Sequence, residues 1–366
     1  MSFIEIDGSF GHGGGQLLRT SLSLSVLLRK PFHVTKIRAN RPHGGLQHQH
    51  LACVQALAEL SEAKVEGAEL HSQELWFEPH GVNRDVFRFN VSGLEKMFFD
   101  VHTAGSTLLL LQALLPPLAF APKPVRIELR GGTCAHFAPP QLYIQRVFVP
   151  AVEKMGLRIE MDVEKWGWYP KGGGVLHAVV HPVKNLGAFH AVERGRLDSL
   201  ECIAAVSNLP EHVLDRLKST ALKHFTEKPA GAAPKVELVH APALGEGAMF
   251  FVEGKYEHSR AGFTSIGERG KPSEKVAEEA CAAFSSFNDG KAAVDDRLAD
   301  QIASYCALAE GRSEFTCPRV SKHLESNMWV LEQFLPVKFE VEHSPGFAKV
   351  AVDGIGFQAA RTKAGT

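Results

Sequence analysis

The feature that most constrains the fold is the run Gly11-His12-Gly13-Gly14-Gly15-Gln16-Leu17-Leu18-Arg19-Thr20. It follows the short apolar segment Phe3-Ile4-Glu5-Ile6 and leads into Leu22, Leu24 and Leu27. A strand, a glycine turn and a buried helix in that order point to helices layered on sheets. Glycines lack Cβ, so their N–H groups can close on an anion, and a helix N-terminus adds unpaired donors. The run is neither G-x-G-x-x-G nor G-x-x-x-x-G-K-[ST], so the common nucleotide fingerprints do not apply. Read alone, it is a plain strand-to-helix turn or a phosphate cradle.

The alternation continues along the chain. A strand-like stretch at 33–39 precedes a helix at 46–60, and 75–78 and 87–91 read as extended. Helix 104–120 is followed by strand 125–130, helix 140–155 and a strand pair at 157–164 and 175–181. Thr103-Ala104-Gly105-Ser106 echoes the first glycine run, again before a leucine-rich helix, which hints at a repeated unit. The texture changes after Pro182. Strand 200–207 is followed by an amphipathic helix at 211–226, with Val213, Leu214, Leu217, Ala221, Leu222 and Phe225 on one face. Then come a loop at 228–234, strands at 235–239 and 248–252, and helix 274–286 with Ser273 as its cap. The earlier pattern returns with helix 295–309 stopped by Gly311, a strand around Phe315-Thr316-Cys317, helix 326–335, and strands 337–342 and 348–353. At 366 residues the chain is long for one core. The reading is an α/β (α+β) chain whose large domain, 1–184 with 289–366, is interrupted by a small module at 185–288.

Composition bounds the partners. A net charge of −1 means that any anion site is a local cluster. The longest apolar stretch, 108–121, is broken by Gln112 and Pro116-Pro117 and is too short to span a bilayer. The N-terminus lacks a basic n-region, so no signal peptide is expected. Six cysteines are scattered without a C-x-x-C pair, as suits reduced, buried thiols in a cytoplasmic protein.

Arg19, Lys36, Arg38 and Arg41 gather early, with His43, His48, Gln49 and His50 close behind. Guanidinium forks suit phosphate, and after a glycine-rich helix start the group favours an anion site over solvated surface. The spacing His43-x4-His48-x-His50 invites a metal reading, but no cysteine or acid lies within it, and surface is the better reading. His323, just before an apolar helix, is either structural or a nucleophile toward phosphorus.

Together these stretches resemble the RNA 3′-terminal phosphate cyclase family. The matching pieces are Asp7-Gly8 with Gly13-Gly14-Gly15-Gln16-Leu17-Leu18-Arg19, then Ile37-Arg38-Ala39-x-Arg41 with Gln49-His50-Leu51. Further on they are Val65-Glu66-Gly67-Ala68-Glu69-Leu70, Ala104-Gly105-Ser106 with Gln112, Gly131-Gly132-Thr133, Ala138-Pro139-Pro140 and Tyr169-Pro170-x-Gly172-Gly173-Gly174. The last are Gly267-Glu268-Arg269-Gly270, Ala299-Asp300-Gln301, and His323-Leu324 with Phe334-Leu335-Pro336-Val337. The resemblance implies three repeated units, each a four-stranded sheet with two helices, and a smaller module inserted before the last. It also implies a reaction in which ATP activates an RNA 3′-phosphate, through a covalent histidine–AMP, for closure to a 2′,3′-cyclic phosphodiester. By the same resemblance His323 is the nucleophile. Arg19, Arg38, Arg41 and Gln49 surround the ATP phosphates, and Gln112, Pro139, Asp300 and Gln301 form the adenosine pocket.

Three positions depart from the family pattern: His12 replaces a Glu associated with the divalent metal, His48 replaces an Arg, and Arg297 replaces a Tyr near the adenine. Imidazole at position 12 shifts the expected metal from Mg²⁺ toward Mn²⁺ or a softer ion. The expected partner is RNA with a 3′-phosphate end, with no membrane, acting as a monomer or homodimer. Two other readings stay open: a non-catalytic cyclase-like factor in ribosome assembly, and an enzyme that adenylylates 5′-phosphate ends. Relatives of the first kind lack the nucleophile that His323 supplies here.

Overall fold

The computed structural model describes residues 2–358 except His12, 81–87, 90–94 and His102. The chain opens with β1 (Ile4–Asp7), α1 (Gly15–Leu28), β2 (Phe32–Thr35), α2 (His48–Ser61), β3 (Lys64–Glu66) and β4 (Leu75–Glu78). These strands form one sheet in the order β1-β2-β4-β3. β1 and β2 run parallel, so the chain must cross over between them, and α1 is that crossover. Leu17, Leu18, Leu22 and Leu24 are buried along α1.

The second sheet holds β5 (Arg88–Phe89), β6 (Glu95–Asp100), β7 (Val125–Gly131), β8 (Arg158–Lys165) and β9 (Gly174–His181), with α3 (Thr107–Ala119) between β6 and β7. Between β7 and β8 run α4 (Gln141–Tyr143), a π turn at Ile144–Phe148 and α5 (Val149–Glu153). The third sheet holds β10 (His190–Ala191), β15 (Glu310–Cys317), β16 (Phe339–Ser344) and β17 (Phe347–Ile355), with α8 (Asp296–Leu308) before β15 and α9 (Lys322–Phe334) after it. One pairing scheme recurs in all three sheets. A parallel pair (β1–β2, β6–β7, β10–β15) is followed by two antiparallel pairings (β2–β4–β3, β7–β9–β8, β15–β17–β16). α1 packs against α2, α3 and α9, and α9 packs on α8.

The fourth sheet, order β12-β11-β13-β14, comprises β11 (Leu197–Ser207), β12 (Pro234–His240), β13 (Gly247–Tyr256) and β14 (Arg260–Ile266), with α6 (His212–Glu227) and α7 (Ser273–Asp289). β11 and β13 are apolar on both faces. Leu200, Cys202, Ala204 and Val206, with Phe250 and Val252, pack with Leu214, Leu217, Phe225 and Phe284 in a core of their own. The alternate residues Ile203, Ala205, Met249 and Phe251 belong to the main core, as the two-residue period of a strand requires. A Cβ on Gly262 would lie 2.7 Å from Val147 Cγ2, so β14 sits close on the π turn. Arg146 of that turn donates to Glu201 at 2.9 Å and to the fully enclosed Glu253 at 3.1 Å.

Several sequence expectations need correction. The strand expected at 33–39 stops at Thr35, because Lys36 and Arg38 take left-handed backbone at φ 50° and 54°. The helix expected at 140–155 runs over 141–153 with helical backbone throughout, and takes in a π turn at Ile144–Phe148. Pro272, not Ser273, is the N-cap of α7. Gly311 does not stop α8, which ends at Leu308, but lies within β15 at φ 88°. The last helix begins at Lys322 and not at 326, so His323 lies within it. Of the stretch expected at 87–91, only Arg88–Phe89 is described, as a strand; the rest lies outside the described residues. All six cysteines are free and buried, and burial pushes the thiols up, Cys53 to about 11. Among the described residues no helix is long and apolar enough to cross a membrane.

Candidate active site

The loop after β1 is shaped by Asp7, whose carboxylate accepts the Ser9 N–H at 2.9 Å and the Ser9 hydroxyl at 2.6 Å. These bonds hold the Asp7 carboxyl below its usual range. Gly11 and Gly13 turn the chain through left-handed backbone at φ 58° and 56°. Gly14 then caps α1 with extended backbone and no side-chain cap, which leaves the first N–H groups of the helix to an outside partner. The surroundings of those groups are basic. A Cβ on Gly14 would lie 3.2 Å from Arg41 Nη2 and 3.7 Å from His323 Cε1. A Cβ on Gly15 would lie 2.3 Å from His50 Nε2 and 2.9 Å from Arg19 Nη1. Side chains from three directions thus close on the glycine backbone, which a plain turn would not need.

His323 owes its position to Ser321, whose hydroxyl accepts the Leu324 N–H at 3.1 Å and starts α9. The imidazole therefore stands in the first turn of α9 and beside the first residues of α1. Two helix N-termini and the Arg41 guanidinium converge there, a setting suited to an anion.

Arg19 is buried on α1 and donates to Gln16 Oε1 at 2.8 Å. Burial lowers its pKa, opposed by Cys53 and Asp300. His50 is also buried, and its Nδ1 accepts the Gln47 N–H at 3.1 Å. Burial, with Arg19 and Arg38, brings its pKa down to about 3. It is therefore a neutral ring that backs Arg19. Arg38 turns into its own loop, where Nη1 donates to His43 O at 2.6 Å and Gly45 O at 3.0 Å. Gln49, in the first turn of α2, has its Cβ 3.2 Å from the place a Gly105 Cβ would take.

Arg19, Gln112 and Gln301 line one cleft, with Gln16, Ser304 and Tyr305. Gln112 Nε2, Gln301 Oε1 and Asp300 Oδ1 are enclosed there and near it with no hydrogen-bond partner among the described residues. Enclosed polar atoms of that kind are costly unless a ligand completes them. Thr20 Oγ1 donates to Asn327 Oδ1 at 2.8 Å, and Asn327 Nδ2 donates to the Asp300 carbonyl at 2.8 Å, tying α1, α9 and α8 together behind the site. Burial pushes the Asp300 carboxyl up to about 7, against the pull of Arg19 and Asn327.

The geometry therefore joins His323 with Arg41, and Arg19 with Gln112, Gln301 and Asp300. Pro139 stands apart, on the loop before α4. His12 lies outside the described residues. The triad of His43, His48 and His50 does not converge: His50 is buried, His43 and His48 are exposed, and among the described residues no group of three His, Cys, Asp or Glu side chains could hold a metal. Sequence reasoning missed Thr20 and Asn327. Asn327 did carry a signal, lying one helical turn after His323 and so on the same face of α9.

A glycine-opened helix start facing a histidine and arginines, beside a cleft with unpaired amide and carboxylate groups, defines a nucleotide-handling protein. The sequence profile of the RNA 3′-terminal phosphate cyclase family matches residues 10–341. The chain is 38% identical to the RNA 3′-terminal phosphate cyclase of Methanopyrus kandleri, over 97% of this chain and 100% of that protein. It is 39% identical to the one from Koribacter versatilis (96% and 95% covered) and 40% identical to the one from Thermococcus onnurineus (94% and 97% covered). The chain belongs to the RNA 3′-terminal phosphate cyclase family.

Proposed function

We propose that the chain is an ATP-dependent enzyme that closes an RNA 3′-phosphate end to a 2′,3′-cyclic phosphodiester through a covalent histidine–AMP. The observation that carries this reading is the approach of His323 and Arg41 to Gly14 at the uncapped start of α1. The triphosphate of ATP lies against that helix start, and its adenosine extends toward Gln112, Asp300 and Gln301, with Pro139 at the border. A ring nitrogen of His323 attacks the α-phosphorus. The N–P bond forms as the bond to the pyrophosphate oxygen breaks. Arg19, Arg41 and Gln49 hold the phosphate oxygens through the displacement, and fixed cations in such a site supply much of the rate. Arg38 holds the 43–45 loop and so sets the position of Arg41. An oxygen of the RNA 3′-phosphate then takes the adenylyl group and frees His323. The neighbouring 2′-OH attacks the activated phosphorus, loses its proton, and AMP leaves. A divalent ion bound with the phosphates would share their charge.

The three like-paired sheets support reading 1–184 and 289–366 as three copies of one unit, and the separate core around Phe284 supports reading 185–288 as inserted. The short β10 within that segment pairs with β15 of the third sheet.

The test is to incubate the protein with ATP labelled in its α-phosphate, then with a 3′-phosphorylated oligoribonucleotide. Acid-labile label is expected on the wild type and absent from His323→Ala, and the RNA end is expected to become cyclic. A wild type that labels no better than His323→Ala overturns the reading. Labelling followed by adenylylation of a 5′-phosphate end alone would replace it with the 5′-end reaction.

A further inference from the structure

The loop 8–13 lies between the two parts of the site that must meet. It leads directly into Gly14, the cap of α1, and its flanks touch the segments that carry Arg41 and His323. Gly8, Gly11 and Gly13 make up half of it, and Gly11 and Gly13 take left-handed backbone. Glycine backbone is the least restricted of any residue, so the place of this loop is set by what grips it. Its own bonds, Phe10 N–H to Asp7 O at 3.1 Å and Gly13 N–H to Phe10 O at 2.9 Å, curl the loop without anchoring it to a helix.

Two neighbours supply the grip. On one side Asn40 Nδ2 donates to Ser9 O at 2.9 Å, and a Cβ on Gly13 would lie 3.5 Å from Asn40 Cβ. Asn40 is the residue before Arg41. On the other side the Phe10 ring stacks on Trp329 of α9, with centroids 4.3 Å apart and planes inclined by 14°. Gly11 meets the same helix, where its Cβ would lie 2.5 Å from Ser326 Oγ. Ser326 turns that hydroxyl back to Lys322 O at 2.7 Å. Trp329 lies six residues after His323, about 9 Å further along α9. The Thr20–Asn327 bond ties α9 to the body of α1. One such bond leaves a helix free to rock about it. The Phe10–Trp329 stack is a second fixed point, on the stretch that leads into Gly14.

We propose that Phe10 is a positioning residue for nucleotidyl transfer: stacked on Trp329, it holds the 8–13 loop against α9 and so sets the spacing between His323 and a phosphate bound at Gly14. The inference rests on the cyclase reading and deepens it. Phe10 acts through the loop and through α9. Arg19, Arg41 and the start of α1 still bind the phosphates without it, so its loss falls on the line of attack and not on ATP affinity. A shift of about 1 Å at the reacting atoms is enough to cost about a hundredfold in rate.

The test is single-turnover formation of the AMP adduct by full-length protein with ATP labelled in its α-phosphate. Three quantities are read: the rate at saturating ATP, the half-saturating ATP concentration, and the final adduct per protein. In Phe10→Ala the rate is expected to fall about ten- to a hundredfold, with half-saturation within about twofold of wild type and the final adduct unchanged. Phe10→Tyr keeps the ring and is expected to restore the rate. Phe225→Ala removes a ring from the separate core of the fourth sheet. It is expected to lower the melting temperature without slowing the adduct, which separates positioning from stability. Labelling of Phe10→Ala at the wild-type rate overturns the proposal. So does weaker ATP half-saturation at an unchanged rate, a loss of adduct that accounts for the whole effect, or a Phe10→Tyr variant as slow as Phe10→Ala. A wild type that forms no adduct ends the cyclase reading and this proposal with it, so labelling of the wild type tells the two failures apart.

Discussion

Asp300→Asn is a substitution expected to strengthen the protein while weakening its function. The Asp300 Oδ1 is enclosed without a hydrogen-bond partner among the described residues, and burial raises its carboxyl from 3.8 to about 7 against the pull of Arg19 and Asn327. A native state that holds a proton which the unfolded chain releases loses stability as pH rises. The deficit begins above 3.8 and is complete above about 7. At 1.36 kcal/mol per unit, the ionised carboxylate costs the fold about 4 kcal/mol at pH 8. Asparagine has similar shape and never ionises, so it removes that cost. Urea unfolding at pH 5 and pH 8 measures the gap between variant and wild type. The gap is expected to favour asparagine and to widen by about 3 kcal/mol between the two conditions. On the proposed placement of the adenosine, binding of ATP should weaken in the same variant, because an acceptor beside Gln301 is lost. A gap that stays constant across this pH range would show that the carboxyl titrates normally and would refute the reasoning.

Gly14→Ala fits the extended backbone at that position but sets a methyl 3.2 Å from Arg41 Nη2. It should melt within a few degrees of wild type yet form the AMP adduct about a hundredfold more slowly; unaltered labelling would count against the anion role of this helix start. Arg146→Met leaves the enclosed Glu253 carboxylate with Arg260 at 3.3 Å as its remaining ion-pair partner. A loss of about 3 kcal/mol is expected, smaller at pH 5 than at pH 8, because burial already raises the Glu253 pKa and a proton can neutralise it; chemical denaturation at the two pH values decides. His12→Glu puts a carboxylate where the family resemblance leads one to expect it, and on the proposed reading should raise activity with Mg²⁺ relative to Mn²⁺ at matched free metal; a ratio indifferent to the substitution would remove His12 from the metal chemistry.

The parts of the fold that were legible in the sequence are those set by local pattern. Leucines spaced along α1 and α3 and the amphipathic face of α6 specify helices without help from the rest of the chain. Boundaries were less legible. Ile37 prolongs the β-branched run after β2 but falls out of phase with Phe32 and Val34, and the chain turns at Lys36 and Arg38, whose left-handed backbone fits the 38–45 loop that Arg38 itself pins. β14 was missed because Arg260, Thr264 and Ser265 dilute its pattern; its burial comes from α7 and the π turn. At the site, residue types announced phosphate chemistry, but the Thr20–Asn327 bond joins residues 307 positions apart. His50 offered a plausible ligand on spacing alone, and only packing against Gly15 and Arg19 makes it a neutral support.

The two-faced strands of the fourth sheet carry a consequence for how the protein comes apart. Cys202 and Phe250 point into one core, while Ile203 and Phe251, their neighbours in sequence, point into the other. Melting either side strips partners from the same strands. The chain should therefore absorb heat in a single calorimetric peak despite its separate cores. Excising 197–289 should not yield a trimmed, working body, because Tyr143 and Val147 would be left bare where Gly262 now covers them. The segment is stitched into the rest at every second residue, and truncation cannot follow a seam that runs through the middle of a strand.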